Sequence, residues 1–88
     1  MTTYKYTISG KVQGVWFRAS TKDVALDLGM TGYADNLSTG QVEVMASGTM
    51  HQHQVLQTFL AVGPVDAEVL NLDIEQVPET NFESFTIG

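Results

Sequence analysis

Hydrophobic and polar positions alternate from Tyr4 to Val12, with Tyr4, Tyr6 and Ile8 on one face and Gly10 and Val12 continuing it, which predicts a strand. The period then changes. Phe17, Thr21, Val24, Ala25 and Leu28 recur at helical spacing and predict a helix from about Arg18 to Leu28, stopped by Gly29. Leu26 falls off that stripe and is expected to be exposed. Ser20 and Thr21, near the helix start, are expected to cap it or face solvent, with contact to a bound phosphate as the lesser alternative. Thr31 to Leu37 and Gln41 to Ala46 read as two strands of a hairpin joined by Ser38-Thr39-Gly40, with Val42, Val44 and Ala46 on the buried face.

Thr49-Met50-His51-Gln52 has the form of a capping box opening a second helix. Its expected apolar stripe is Val55, Leu56, Phe59, Leu60 and Val62, and Gly63-Pro64 ends it. His51 and His53 stand two apart, diverge by about 200° on a helix, and are expected as solvated surface residues that share no metal. The methionines are scattered and read as filler or surface. Ala67 to Val77 predicts a further strand, with Val69, Leu70, Leu72, Ile74 and Val77 against the polar set Glu68, Asn71, Asp73 and Glu75. Pro78-Glu79-Thr80-Asn81 reads as a turn, and Phe82 to Ile87 as a last strand with Phe85 and Ile87 inward. The order β-α-β-β-α-β, with room for a short extra strand near the C-terminus, predicts an α+β, ferredoxin-like sandwich. Its sheet would be antiparallel, with both helices on one face.

Composition narrows the function classes. Residues 1–88 suit a single domain, burying only about 60–65% of the unfolded surface. Without cysteine, disulfides, thiolate ligands and a cysteine nucleophile are excluded. The start Met1-Thr2-Thr3-Tyr4-Lys5 lacks the apolar run of a signal peptide, and no stretch approaches the ~20 apolar residues of a membrane span. A soluble cytoplasmic monomer is expected. A net charge of −6 argues against general nucleic-acid binding. Its distribution is uneven: the four cations Lys5, Lys11, Arg18 and Lys22 precede all ten carboxylates, which begin at Asp23. An anion would therefore be steered to the N-terminal segment, unless the four cations cluster there by chance.

That segment contains Gly10-Lys11-Val12-Gln13-Gly14-Val15-Trp16-Phe17-Arg18, a strand-to-helix connection punctuated by Gly10 and Gly14. Such a loop aims backbone N–H groups at one place, next to the positive end of the following helix, and binds anions, phosphate above all. Arg18 sits on the first helical turn, where the macrodipole disfavours a cation. Spacing alone narrowly favours an ordinary loop with Arg18 in water. Asn36, beside a turn, reads from its surroundings as a backbone hydrogen-bonding residue.

The same nine residues resemble the signature loop of the acylphosphatases, G-x-V-Q-G-V-x-F-R, with every specified position matched between Gly10 and Arg18. Gly32-Tyr33-Ala34-Asp35-Asn36-Leu37 followed by Gly40-Gln41-Val42-Glu43 resembles the family's second motif, in which the asparagine is catalytic. The resemblance runs through nearly the whole chain and implies the ferredoxin-like fold. It also implies hydrolysis of small acyl phosphates. The phosphate would be held by the loop Gln13, Gly14, Val15, Trp16, Phe17 and Arg18, and water oriented by Asn36. No cofactor, metal or covalent intermediate is implied; inorganic phosphate, the product, is expected to inhibit. There are two departures: Trp16 at a variable position, expected at the rim or on the sheet, and Ile87-Gly88 where the family often carries a basic residue and an aromatic. A ferredoxin-like domain that binds an anion without turnover, and an RNA-binding sheet domain, are the rival classes. Arg18 with Asn36 weighs against the first, and the acidic balance after Asp23 against the second.

Overall fold

The computed structural model describes Met1–Gly88. In chain order the elements are β1 (Thr2–Lys11), α1 (Phe17–Leu28), β2 (Thr31–Asn36), β3 (Val42–Gly48), α2 (Met50–Leu60), β4 (Glu68–Val77) and β5 (Phe85–Ile87). The sheet runs β4-β1-β3-β2-β5. Its first four strands pair antiparallel, as a ferredoxin-like sandwich requires. The fifth departs from the expected all-antiparallel sheet: β5 pairs parallel to β2, with Gly32 opposite Phe85 and Ala34 opposite Ile87. The extra strand is thus real but short, and Phe82 lies outside it, its ring against Tyr33 at 6.0 Å between centroids.

The helices pack on each other and on one sheet face, closing a cluster that includes Tyr6, Ile8, Val42, Val44, Ala46, Leu56, Leu60 and Phe85. Each Ile, Val, Leu or Phe side chain in it contributes about 1.5–3 kcal/mol on burial. α1 ends as its sequence dictates, with Gly29 left-handed at φ 78° and its N–H returned to the last carbonyls. Thr49 opens α2 with a reciprocal capping box: Gln52 N–H donates to Thr49 Oγ1, and Thr49 N–H to Gln52 Oε1.

Several side-chain expectations fail. His53 is fully buried, not solvated; the inward stripe of α2 is His53, Leu56 and Leu60, while Val55 and Val62 are exposed. His53 Nε2 faces the Thr2 carbonyl at 2.8 Å and its Nδ1 the Tyr6 hydroxyl at 2.7 Å, so its polar atoms are satisfied inside the core. On β4, Leu70 and Ile74 are exposed because this strand is an edge paired only to β1. A register shift at Ser9/Gly10 matches Ser9 with Asn71 and Gly10 with Val69, leaving Leu70 without a partner. Thr21 neither caps α1 nor meets solvent: its buried hydroxyl donates to the Phe17 carbonyl one turn back at 2.7 Å. Ile87 is only partly covered although Phe85, on the same strand, is buried.

Candidate active site

The β1–α1 loop is anchored by alternation. Val12, Val15 and Phe17 are buried, with the Phe17 ring 6.1 Å from Phe59, while Gly14 and Trp16 face outward. This places the intervening backbone on the surface with its side chains pinned below. Gly14 has φ 73° and Trp16 φ 66°, so two left-handed residues flank Val15. The conformation is free for glycine but costs tryptophan about 1–2 kcal/mol. Trp16 is also the N-cap of α1 and offers no side-chain acceptor to the first turn, which holds no acidic residue.

The loop's donors consequently have little to bond. None of the turn, loop and cap hydrogen bonds is donated by a backbone N–H between Gln13 and Trp16, and the first helical bond is Ser20 N–H to the Trp16 carbonyl at 2.9 Å. The opening N–H groups of α1 lack intrahelical partners by geometry. A row of N–H groups without backbone partners, next to the positive end of a twelve-residue helix, is physically suited to an anion.

A cleft of about 330 Å³ opens beside this row, and Gly14, Trp16, Phe17, Arg18 and Asn36 all line it. Two motifs separated by eighteen positions (Arg18 to Asn36) therefore meet in one place. Asn36 arrives there as the exposed last residue of β2, beside the bond from Leu37 N–H to the Gln41 carbonyl, 2.8 Å, that closes the hairpin. Arg18 reaches the carbonyl of Gly88, to which its Nη1 donates, and Gly88 N–H is in turn held by the Ala34 carbonyl at 3.1 Å. The guanidinium is thus oriented from the β5 side while its other N–H groups remain for a ligand.

Two expected loop members do not line the cleft. Val15 is buried, and only its backbone is available. The Gln13 amide turns the other way and donates to the carbonyls of Leu37 at 2.8 Å and Gln41 at 2.9 Å. It ties the loop to the hairpin immediately after Asn36. Gln41 continues the tie, its Nε2 donating to Ser9 Oγ at 2.9 Å. Sequence reading gave no role to Gln41, and its signal is absent from local pattern because Ser9 is thirty-two positions away.

The four cations are less concentrated than their order implies. Lys5 sits in mid-β1, 3.8 Å from Glu75, about 20 Å of strand from Lys11. Lys22 follows Arg18 by one helical turn and is the closer companion. No group of three or more His, Cys, Asp or Glu side chains converges to hold a metal, and no helix is long and apolar enough to cross a membrane.

Comparison with known proteins bears on the family and the fold. Residues 4–87 match the acylphosphatase family model. An acylphosphatase from Nitrosococcus oceani is 38% identical over 87 residues, covering 99% of this chain and 98% of that protein. One from Colwellia psychrerythraea is 41% identical over 86 residues, covering 98% and 97%. The solved structure of an acylphosphatase from Coxiella burnetii superposes with a TM-score of 0.95 at 38% identity, over 99% of this chain and 92% of that one. With the family model matched over residues 4–87 and relatives matched over nearly their whole length, the chain belongs to the acylphosphatase family.

Proposed function

We propose that this acylphosphatase-family hydrolase cleaves the carboxyl–phosphate anhydride of small acyl phosphates with the Gln13–Arg18 loop as phosphate cradle and Asn36 as the residue that orients water. The leaving group is a carboxylate, a weak base that departs without a general acid, so no titrating side chain is required. What the reaction does need is charge neutralisation on the phosphoryl oxygens and a nucleophile held in line. Backbone N–H groups of the loop supply fixed dipoles for the first, and the planar fork of Arg18 grips two oxygens. The Asn36 amide, which both donates and accepts, suits the second. The attack forms one phosphorus–oxygen bond and breaks the bond to the acyl oxygen, giving carboxylate and inorganic phosphate. The scheme uses no metal, cofactor or covalent intermediate.

The observation that carries this reading is the meeting of Arg18, Asn36 and the unpaired N–H row in one cleft. Its test is ultraviolet loss of benzoyl phosphate in the presence of EDTA. Turnover that survives EDTA and is lost in Arg18→Ala is expected; tight phosphate binding without turnover would return the chain to an anion-binding role.

A further inference from the structure

Trp16 is the one non-glycine residue in the left-handed region, at φ 66° and ψ 20°. Held strain of this kind needs compensation, and Trp16 finds none in its own surroundings. Its side chain is 78% exposed, caps nothing, makes no hydrogen bond and packs on no other aromatic ring. An exposed apolar residue alone is ordinary. This one lines the cleft, and the walls it shares there are Val12, Phe17, Ala19 and Ile87. At about 330 Å³ the cleft is of ligand-pocket size, with room beyond a phosphoryl group, and that room is apolar.

We propose that the indole of Trp16, with Ile87, forms the acyl-group platform of the cleft and biases it toward acyl phosphates with an aromatic or extended apolar acyl group. This rests on the phosphate reading of the loop. An acyl phosphate has a dianionic end and an end of variable apolar character. With the phosphoryl group on the Arg18 side, the other end leaves across the remaining walls, and the indole is the largest exposed apolar surface among them. Ile87 is 43% exposed at the same mouth. A ring laid on Trp16 would be stacked and desolvated on one face, whereas an acetyl group is too small to use that surface.

Binding of non-hydrolysable phosphonates tests this without turnover. Benzylphosphonate should bind wild type roughly tenfold more tightly than methylphosphonate by titration calorimetry. Trp16 is the sole tryptophan, so its emission should respond more to the benzyl compound. Trp16→Gly, which also relieves the positive φ and should fold, is expected to shrink that margin to about twofold, and Trp16→Phe to keep most of it. The ratio of kcat/KM for benzoyl over acetyl phosphate should follow the same order. Equal margins in wild type and Trp16→Gly, or no benzyl preference in wild type, would overturn the platform. Hydrolysis of both acyl phosphates with an unchanged ratio would do so while leaving the proposed function standing. The expected phosphonate margins without any hydrolysis would sustain the platform and remove the function.

Discussion

Arg18 brings both a charge and a planar fork to the cleft, and Arg18→Lys keeps the first while losing the second. A charge-assisted hydrogen bond is worth about 1.5–3 kcal/mol. One lost only at the transition state lowers kcat/KM by roughly ten- to a hundredfold. The variant should fold, since the side chain lies at the cleft and not in the core; steady-state kinetics near wild type would remove Arg18 from the chemistry. Asn36 separates binding from catalysis in the opposite way. If it orients water and barely touches ground-state phosphate, Asn36→Ala should bind phosphate nearly as well as wild type while kcat falls sharply. A turn-stabilising role forecasts instead a loss of about 1 kcal/mol in stability with unchanged kcat, so melts and kinetics on one preparation decide. His53 makes its forecast in pH. Its Nε2–H donates to the Thr2 carbonyl, so its Nδ1 accepts from the Tyr6 hydroxyl, which accepts from Gln57 Nε2 at 3.1 Å. That network fits the neutral ring, and burial lowers the pKa of His53, only partly offset by the Thr2 carbonyl. The unfolded chain, titrating near ~6.5, then binds the proton more readily than the folded one. Stability should be level above about pH 6.5 and fall as pH drops below it, before the carboxylates titrate. Urea midpoints measured from pH 7.5 to 5.5 check this, and an equal slope in His53→Gln would assign the loss elsewhere.

At the scale of elements, β1 and the loop that follows it depend on two glycines with different tolerances. A methyl on Gly10, at φ 127°, would strike the Glu68 carbonyl and come within 2.9 Å of Leu70 N across the β1–β4 bulge. Neither partner can yield without moving β4 backbone. Gly10→Ala should therefore cost several kcal/mol, on the order of ~3 or more, by denaturant unfolding. Gly14, at φ 73°, has nothing within 4 Å of such a methyl, so Gly14→Ala should cost only about 1 kcal/mol. Similar losses in the two would contradict this account of the bulge. The same elements show what local pattern could convey. Gly29 and the Thr49–Gln52 box are local devices, and both ends form where the residues place them. On α2 the buried stripe is carried by position rather than residue type: His53, Leu56 and Leu60 are spaced i, i+3, i+7, a sufficient core signal although His53 is polar. On β4 the alternation was legible but its burial was not, since burial depends on the strand lying at an edge, which is a property of the sheet order. The site divides likewise. Arg18 and Asn36 were legible because motifs carry them, whereas the Gln13 clamp onto Leu37 and Gln41 spans 24 and 28 positions and exists only once β1 and the hairpin are assembled.

For the whole molecule, a net charge of −6 complicates any anion's effect. Added salt of any kind screens self-repulsion and raises stability somewhat, so phosphate must be judged against chloride at equal ionic strength. Specific occupation of the loop adds a second term, because a ligand that binds only the folded state stabilises it by mass action. At a concentration one hundredfold above Kd this is about 2.7 kcal/mol. For a domain of this size each kcal/mol moves Tm by roughly 4–8 °C, so saturating phosphate should raise Tm by about 10 °C or more beyond the chloride control. Sulfate, with the same tetrahedral charge, should act in the same direction. Arg18→Ala should lose most of the increment, since the guanidinium supplies the strongest single contact proposed for the anion. Asn36→Ala should keep it, as its proposed work begins only when water attacks. Thermal melts of the three proteins in matched phosphate and chloride carry the whole comparison. An equal phosphate increment in wild type and Arg18→Ala would place the anion away from the cleft, and with it the chemistry assigned to the β1–α1 loop.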